Sequence, residues 1–235
     1  MNIALFGYGK MGKEVERLAI QRKHNIVLTV EEDNYDLLTA NDLSKADVAI
    51  EFSTPGSVIE NIKTCVNAGL PIVVGTTGWH DQLEEIKKLT NQKDASLFYA
   101  SNFSLGVNLF FKLNTYLAEM MNKYEDYEVS MEEIHHIHKL DKPSGTAITL
   151  ADQLLEKISA KKKWSITEKN KSTLFINDKR EGEVPGTHII KYQSAIDDIE
   201  IMHKAHNRKG FAQGAIIAAE FLKGKKGVYT MSDLL

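Results

Sequence analysis

Short apolar runs alternate with helix-periodic segments through the first hundred residues, and this alternation limits the possible folds more than any other feature of the sequence. The strand-like runs are residues 3–6, 26–30, 48–52, 72–74 and 97–99. Apart from Thr29 and Glu51 the runs are continuously apolar rather than alternating, which is typical of parallel strands that are buried on both faces. Because helices connect parallel strands, this part of the chain is predicted to form an α/β domain around a parallel sheet.

The pattern changes after residue 103. Helices are predicted around residues 107–117 and 146–158, and strand-like segments lie near residues 128–136, 172–177, 187–193 and 199–204. This order predicts an α+β domain built on a mixed sheet. A final alanine-rich helix, residues 212–222, resembles the sheet-packing helices of the first half. We therefore expect one domain from residues 1–103 plus 208–235 and a second from residues 104–207.

Composition argues against several classes of function. The net charge of −3 gives no electrostatic reason to expect nucleic acid binding, which depends on clustered Lys and Arg. The basic runs at residues 161–163 and 223–226 are interpreted as solvated turns. No apolar run reaches the length of about 18 residues that a membrane helix needs, so we expect a cytoplasmic protein without a membrane partner. The single cysteine, Cys65, lies in an apolar helical pattern and is predicted to be a buried core thiol.

A glycine-rich turn, G-Y-G-K-M-G, separates the first predicted strand from its helix. Gly7 permits a tight turn, Gly9 lets the backbone approach a pyrophosphate, and Gly12 allows close packing of the helix. The start of the helix then presents N–H groups to the anion. The alternative is a glycine-rich turn without a ligand. We favour a Rossmann-type, dinucleotide-binding first domain, with its turn formed by Gly7, Tyr8, Gly9, Lys10, Met11 and Gly12.

Two acidic residues, Glu31 and Glu32, follow the second strand about twenty residues after the glycines. A carboxylate at this place accepts hydrogen bonds from the adenosine ribose. Because no Arg follows directly, a 2′-phosphate would face negative charge, and NADH is favoured over NADPH as the cofactor. Lys10 would partly offset this repulsion. Glu31 is the preferred ribose ligand, but the sequence leaves Glu32 open, and both acids can also be ordinary solvated loop residues.

The segment from residue 133 to 147 reads E-I-H-H-I-H-K-L-D-K-P-S-G-T-A and places three histidines and a lysine before a turn that opens a helix. The backbone N–H groups of Gly145 and Thr146, the Thr146 hydroxyl and the positive end of the helix dipole favour an anion. Nearby His and Lys side chains supply protons and positive charge. The sequence therefore predicts a small carboxylate substrate at this helix.

A metal site is the alternative explanation for His135, His136 and His138. Adjacent residues of an extended segment point to opposite sides, however, and Lys139 would repel a cation. We therefore expect no bound metal here.

The same segment resembles the signature of the dihydrodipicolinate reductase family, E-x-H-H-x-x-K-x-D-x-P-S-G-T-A, and it meets every fixed position. Six further stretches agree with the family along nearly the whole chain. They are A-I-E-F-S-T-P at 49–55, V-G-T-T-G at 74–78, S-N-F-S-L-G-V-N at 101–108, R-E-G at 180–182, P-G-T-H at 185–188 and F-A-Q-G-A at 211–215.

The resemblance implies transfer of a hydride from a nicotinamide to a cyclic, imine-conjugated dicarboxylate in lysine and diaminopimelate biosynthesis. It implies that His135 donates or accepts a proton and that Lys139 is a second proton donor. The substrate-binding positions that it implies are His136, Ser144, Gly145 and Thr146. The loops that it places near the nicotinamide and its ribose are Gly75, Thr76 and Thr77 and, after the fifth strand, Ala100, Ser101, Asn102 and Phe103.

Three departures from the family pattern limit these implications. The glycine turn is one residue shorter than the common form, and Lys142 stands where alanine is usual. The chain is also shorter than many relatives in the second domain, through which the family forms a homotetramer. A homotetramer is still the expected assembly.

Two other assignments compete with the reductase. One is another two-domain dehydrogenase, of the homoserine or aspartate-semialdehyde type, although a catalytic cysteine would be expected in the latter and Cys65 is poorly placed. The other is a non-catalytic nicotinamide sensor that controls DNA binding, for which the sequence offers no basic recognition element.

Overall fold

The structure is a computed structural model and describes residues 1–207 and 209–235. It divides into two compact units, Met1–Leu105 with Lys209–Leu235, and Gly106–Arg208. The second predicted domain boundary falls at Arg208, which lies outside the described residues. Within the described ranges, no helix is long and apolar enough to cross a membrane.

The first unit is built on a six-stranded sheet in which every pair of neighbouring strands is parallel. Its strands are β1 (Asn2–Phe6), β2 (Asn25–Val30), β3 (Val48–Glu51), β4 (Ile72–Val74), β5 (Ser96–Tyr99) and β11 (Gly227–Tyr229). The spatial order β11-β5-β4-β3-β1-β2 confirms the predicted Rossmann-type sheet. The edge strand β11 was not predicted, because three half-buried residues after the last long helix carry no strand periodicity.

Helices cover both faces of this sheet. They are α1 (Lys10–Gln21), α2 (Ala40–Leu43), α3 (Val58–Asn67), α4 (Leu83–Gln92), α7 (Lys209–Leu222) and α8 (Met231–Leu234), with 3₁₀ turns at Tyr35–Leu37 and His80–Gln82. One core cluster packs α1 and α7 against the sheet, and a second packs α3 and α4 against the other face. Small buried side chains such as Ala215 and Ala219 let α7 lie close to the strands. Cys65 lies in the second cluster, and burial raises the pKa of its thiol.

The second unit is built on a five-stranded mixed sheet, as predicted, in the order β10-β9-β6-β8-β7. Its strands are β6 (Glu128–His135), β7 (Lys163–Ser165), β8 (Thr173–Arg180), β9 (Thr187–Gln193) and β10 (Asp198–Lys204). The central strand β6 pairs antiparallel with β9 and parallel with β8. The helices α5 (Leu105–Met121) and α6 (Gly145–Lys157) share one apolar cluster with the sheet. Burial alternates along β6, so Glu133 and His135 point to the covered face.

The prediction that residues 161–163 form a solvated turn is wrong. Lys161 is 3% exposed, and Lys163 begins strand β7. The Lys161 ammonium donates to the carbonyl oxygens of Lys171 (3.0 Å) and Thr173 (3.3 Å) and pairs with Glu128. A buried ammonium is tolerated because these acceptors replace its hydration. The second basic run is exposed, as expected.

Candidate active site

The glycine turn after β1 is close-packed. Gly7 has a φ of +88°, and a Cβ atom there would overlap the carbonyl oxygen of Phe52, the residue that follows β3. A Cβ atom on Gly12 would overlap the carbonyl oxygen of Gly7. Gly9 immediately precedes α1, and a Cβ atom there would meet nothing within 4 Å. The turn therefore requires glycine at two positions for packing and leaves open space at the third, beside the helix N-terminus.

A cavity of about 780 Å³ lies at the carboxyl ends of β1, β2 and β3. It brings Gly7, Tyr8 and Gly9 together with both candidate acids, Glu31 and Glu32. Its other lining residues are Val30, Tyr35, Asp36, Phe52, Ser53, Thr54, Gly56, Ser57, Glu60 and Asn61. The volume is in the range of small-molecule and cofactor sites, and the topological position is the one at which open parallel sheets bind ligands.

The remaining predicted residues of the turn lie in the first turn of α1. Lys10 is exposed, whereas Met11 is partly buried against the core and Gly12 is buried. Met11 therefore supports the packing of the helix. Two further carboxylates, Asp36 and Glu60, line the cavity with Glu31 and Glu32 and add to its negative charge.

The sequence did not predict a buried acid, Glu51, that is hydrogen-bonded to a residue lining this cavity. Glu51, at the end of β3, is fully buried, and its carboxylate accepts from the Ser53 backbone N–H (2.9 Å) and the Ser53 hydroxyl. The Asn61 amide donates to the Ser53 hydroxyl at 3.1 Å. The signal was available, because an acid inside the apolar stretch A-I-E-F needs buried donors.

The two loops expected near the nicotinamide follow the neighbouring strands β4 and β5. The Ala100 N–H donates to the carbonyl oxygen of Val74 at 3.2 Å, which ties the loops together. The Trp79 indole donates to the Thr76 carbonyl oxygen at 2.8 Å and holds the turn that contains Gly75, Thr76 and Thr77. A Cβ atom on Gly75 would overlap the Phe52 ring, so this turn also needs a glycine.

The loop after β5 contains Ala100, Ser101, Asn102 and Phe103. Asn102 accepts from the Ser104 N–H at 2.9 Å, whereas Ser101 is exposed. Phe103 is 2% exposed, with its ring centroid 5.8 Å from that of Phe98. Its side chain is therefore part of the core.

In the second unit, the centre of the candidate site is Glu133 on β6. This side chain is fully buried, and its carboxylate accepts from the Ser144 backbone N–H at 2.8 Å and from the Ser144 hydroxyl. Its Oε2 lies 3.2 Å from His135 Nδ1 and 3.6 Å from His188 Nε2. The rings of His135 and His188 meet edge to face, with centroids 5.2 Å apart. One carboxylate thus contacts the predicted proton donor and the predicted substrate turn.

The predicted substrate-binding turn lies at the N-terminus of α6. Ser144 is its N-cap, and the hydroxyl accepts from the Ala147 N–H at 3.2 Å. Gly145 and Thr146 form the first turn, with Gly145 exposed and Thr146 half-buried. This is the geometry in which backbone N–H groups and the helix dipole attract an anion.

Lys139 and the loop around it are held by Arg180 at the end of β8. The guanidinium donates to the carbonyl oxygens of Lys139 (3.3 Å) and Asp141 (2.7 Å). Lys139 Nζ lies 2.8 Å from Asp141 Oδ1, and this hydrogen bond lowers the pKa of the Asp141 carboxyl. Arg180 also pairs with Asp178. Arg180 was not predicted as a site residue, although it belongs to the R-E-G stretch in which the chain resembles the family.

The charges at this site favour an ionised Glu133 beside neutral His188. Burial alone would raise the pKa of Glu133, but the contacts with His135, His188 and Ser144 outweigh burial and hold it far below its usual range. Burial lowers the pKa of His188 despite the nearby carboxylate. Near neutral pH, Glu133 is therefore an unprotonated carboxylate and His188 is a neutral imidazole.

The predicted histidines separate as their alternation requires. His135 is buried, His136 is half-buried, and the exposed His138 lies 3.3 Å from Glu183. Among the described residues, the histidines and acids that come within metal-ligand distance of one another are Glu133, His135 and His188, which is a different set from the sequence motif. Both Glu133 oxygens already accept hydrogen bonds from Ser144, and both histidine nitrogens lie within 3.6 Å of Oε2, so we describe this group as a polar cluster around a buried carboxylate.

Comparison with known proteins places these features in a family. Residues 1–103 match the family model described as dihydrodipicolinate reductase, N-terminus, and residues 106–235 match its C-terminus. The 4-hydroxy-tetrahydrodipicolinate reductase of Christiangramia forsetii is 52% identical over 237 residues, which cover 100% of this chain and 98% of the relative. A protein of the same name from Methanosarcina acetivorans is 33% identical, covering 99% and 88%.

Solved structures agree at the level of the fold. A dihydrodipicolinate reductase from Paenisporosarcina sp. TG-14, described as dipicolinate bound, has a TM-score of 0.82 at 23% identity and covers 100% of this chain and 99% of that one. Aspartate semialdehyde dehydrogenase II of Vibrio cholerae reaches 0.53 at 10% identity, covering 94% and 97%. Because the family models span both halves and the relatives match over the full length, the chain belongs to the dihydrodipicolinate reductase family.

Proposed function

We propose that this chain catalyses the reaction for which its relatives are named, the NADH- or NADPH-dependent reduction of 4-hydroxy-tetrahydrodipicolinate to tetrahydrodipicolinate, with release of the hydroxyl group as water, in lysine and diaminopimelate biosynthesis. The observation that carries the proposal is the cluster around Glu133, which joins His135 to the N-terminus of α6 in a chain 52% identical to such a reductase. Family membership leaves the semialdehyde and homoserine alternatives without support.

The substrate is a small dicarboxylate in this proposal. The N–H groups at Gly145 and Thr146 bind one carboxylate, with the positive end of the α6 dipole behind them. His136 and Lys139 supply further donors and positive charge. The dipicolinate-bound relative supports this class of ligand, because dipicolinate is itself a small aromatic dicarboxylate.

The cofactor is held by the first unit in this proposal. The glycine turn receives the pyrophosphate, and the loops after β4 and β5 receive the nicotinamide and its ribose. When bound, the reduced nicotinamide supplies a hydride. His135 and Lys139 exchange protons with the substrate, and Lys139 also neutralises the negative charge that develops on the substrate ring.

NADH is the preferred cofactor in this proposal. Glu31 and Glu32 line the cavity together with Asp36 and Glu60, and a 2′-phosphate among four carboxylates would be repelled. The exposed Lys10 offsets this repulsion only in part.

We propose a homotetramer in the cytoplasm, where the pools of nicotinamide nucleotides and amino-acid precursors are found. The edge strand β10 supports self-association, because it pairs only with β9 among the described strands and exposes Met202 and Ile199. Light scattering coupled to size exclusion tests the assembly, and a monomer at micromolar concentration would contradict it.

A coupled assay tests the activity. The preceding synthase generates fresh substrate, and the loss of NADH and of NADPH is followed separately. We expect rapid oxidation of NADH that depends on the synthase product, with a kcat/KM for NADH at least equal to that for NADPH. A preference for NADPH above about tenfold, roughly 1.4 kcal/mol, would contradict the assignment of selectivity to the acidic residues. Aspartate semialdehyde serves as the control substrate and should not be reduced.

A further inference from the structure

We propose that Glu133 is a positioning residue for the reaction, because its single buried carboxylate orients His135 and also fixes the first residue of the substrate-binding turn at Ser144. The effect of Glu133 on turnover rests on the proposed function. The orientation of the imidazole can be measured without turnover, however, so the two proposals can fail separately.

The His135 ring has a different environment at each nitrogen. Nδ1 lies 3.2 Å from Glu133 Oε2, at ion-pair distance from the carboxylate. Nε2 faces Gly186, where an added Cβ atom would stand 3.0 Å away. Because a side chain at position 186 would press on Nε2, the glycine keeps that nitrogen accessible. Nδ1 is buried without an aligned hydrogen bond among the described residues, and the Glu133 carboxylate is the acceptor within reach of it. In this proposal the proton of the neutral ring is therefore on Nδ1, towards Glu133, and Nε2 is left to exchange a proton with the substrate.

The other contacts of the carboxylate lead to the substrate turn. Oε1 accepts the Ser144 backbone N–H at 2.8 Å, and Oε2 accepts the Ser144 hydroxyl. The same hydroxyl accepts from Ala147 and caps α6. A shift of Glu133 would therefore move the start of α6, including Gly145 and Thr146, together with the imidazole.

The chemistry requires a carboxylate rather than an amide. Glu133 accepts at both oxygens, and Arg180 Nη2 lies 3.8 Å from Oε1. A glutamine has one oxygen acceptor and one NH₂ group. With the NH₂ in place of Oε1 it would face the Ser144 N–H, and with the NH₂ in place of Oε2 it would face a protonated His135 Nδ1. The substitution Glu133→Gln therefore removes the orientation of one partner with almost no change in side-chain volume.

A purely structural role is the competing explanation. In that case a substitution would lower stability and the amount of folded enzyme, but the folded fraction would keep its kcat and the same tautomer of His135. Kinetics on folded protein and nitrogen-15 NMR of the histidine rings distinguish the two explanations. The resonance of His135 is assigned by its disappearance in His135→Gln.

The test compares Glu133→Gln with Glu132→Gln, the neighbouring acid on the opposite face of β6, where it pairs with Lys179 at 2.7 Å. We expect Glu133→Gln to lower kcat by about 10²-fold or more and to raise the substrate KM, with the Kd for NADH unchanged. In wild type, neutral His135 should carry its proton on Nδ1, and in Glu133→Gln the Nε2–H form should become populated. Glu132→Gln should behave as wild type in all four measurements.

Glu133→Asp provides the conservative variant, because it keeps the charge with one methylene fewer. It should retain the Nδ1–H tautomer and more activity than Glu133→Gln. A folded Glu133→Gln that keeps more than about a third of the wild-type kcat, or an unchanged tautomer, overturns the proposal. If neither variant folds, the wild-type spectrum decides, since a predominant Nε2–H form of His135 also overturns it. A wild type inactive in the coupled assay would contradict the proposed function and leave the tautomer result standing.

Discussion

Ser144 donates its backbone N–H to Glu133 Oε1 at 2.8 Å and its hydroxyl to Glu133 Oε2, so the residue that caps α6 is bound twice by one buried carboxylate of β6. Strand β6 ends at His135, two residues after Glu133. The proposed proton donor and the helix that is proposed to bind the substrate carboxylate therefore both contact the same side chain.

The first prediction concerns His135 and Lys139 as proton donors. His135→Gln and Lys139→Ala should each lower kcat by roughly 10²- to 10⁴-fold, the usual scale for a lost general acid, with NADH binding nearly intact. His136→Gln should chiefly raise the substrate KM. Steady-state kinetics and fluorescence titration with NADH provide the measurements.

Two exposed neighbours serve as controls for this prediction. His138→Gln removes an exposed ring whose Nε2 lies 3.3 Å from Glu183, and Lys142→Ala introduces the residue that is usual in the family. Both should stay near wild type. If His135→Gln or Lys139→Ala kept more than about a third of wild-type kcat in a folded protein, that residue would not be a proton donor.

The second prediction concerns the acid that binds the adenosine ribose. Glu31→Gln should raise the KM for NADH by roughly tenfold, because the ribose hydroxyls lose a charged acceptor. The KM for NADPH should rise less, since a negative charge near its phosphate is also removed. Glu32→Gln is measured in parallel, and a larger effect there would assign the ribose to Glu32. Glu84→Gln, in a surface pair with Lys87, is the control.

The third prediction concerns Arg180, which holds the Lys139 loop through two carbonyl oxygens. Arg180→Ala should raise the substrate KM and lower kcat, because Lys139 loses its fixed position. Added guanidinium at millimolar concentration should restore part of the activity, whereas Arg180→Lys should not, since an ammonium cannot reproduce the planar fork. Arg17→Ala, on the exposed side of α1, should be unaffected by guanidinium. An equal response of both variants would contradict the assignment.

The fourth prediction compares two glycines of α7. A Cβ atom on Gly214 would overlap the carbonyl oxygen of Phe103, whereas one on Gly210 would stand 3.5 Å from Ser104 Oγ. Gly214→Ala should lower the free energy of unfolding by roughly 1–3 kcal/mol or more. Gly210→Ala should be neutral or raise it by up to about 1 kcal/mol, because alanine favours the helix. Urea unfolding measures both, and equal values would contradict the close approach of α7 to Phe103.

The fifth prediction concerns pH. Burial lowers the pKa of His188 from its ordinary value of 6.5, so a proton binds the unfolded state more tightly than the folded one. Stability should therefore be fully present above about pH 6.5 and should fall as the pH drops below it. The depressed pKa of Glu133 acts in the same direction, but only below its ordinary value of 4.5.

The variant His188→Gln tests this assignment. Between about pH 7.5 and 5.5 its free energy of unfolding should depend less on pH than that of wild type. A remaining dependence is expected from His203, because burial also lowers the pKa of that residue. An unchanged pH dependence in His188→Gln would show that His188 is not a buried neutral imidazole.

Local periodicity was sufficient for most of the fold. Continuous apolar runs identified β1 to β5, and the extended pattern of the histidine segment predicted that His135 and His136 point to opposite sides. In the structure His135 is buried and His136 is half-buried. These features depend on neighbours within a few residues, which a sequence displays directly. Strand β11 was missed, because its pairing with β5 comes from a segment more than a hundred residues away.

For the site, the sequence by itself determined the residue types: a glycine turn, two acids after β2, and a His-His-Lys segment before an anion-binding turn. Only the tertiary structure decided which of them meet. Pairing of β6 with β9 and β8 brings His188 and Arg180 to Glu133 and the Lys139 loop, and packing turns the Phe103 ring into the core. Lys161 became a buried cation for the same reason, since its carbonyl acceptors come from the segment that leads into β8. Burial and hydrogen bonding are properties of the folded neighbourhood, and a list of residues does not contain them.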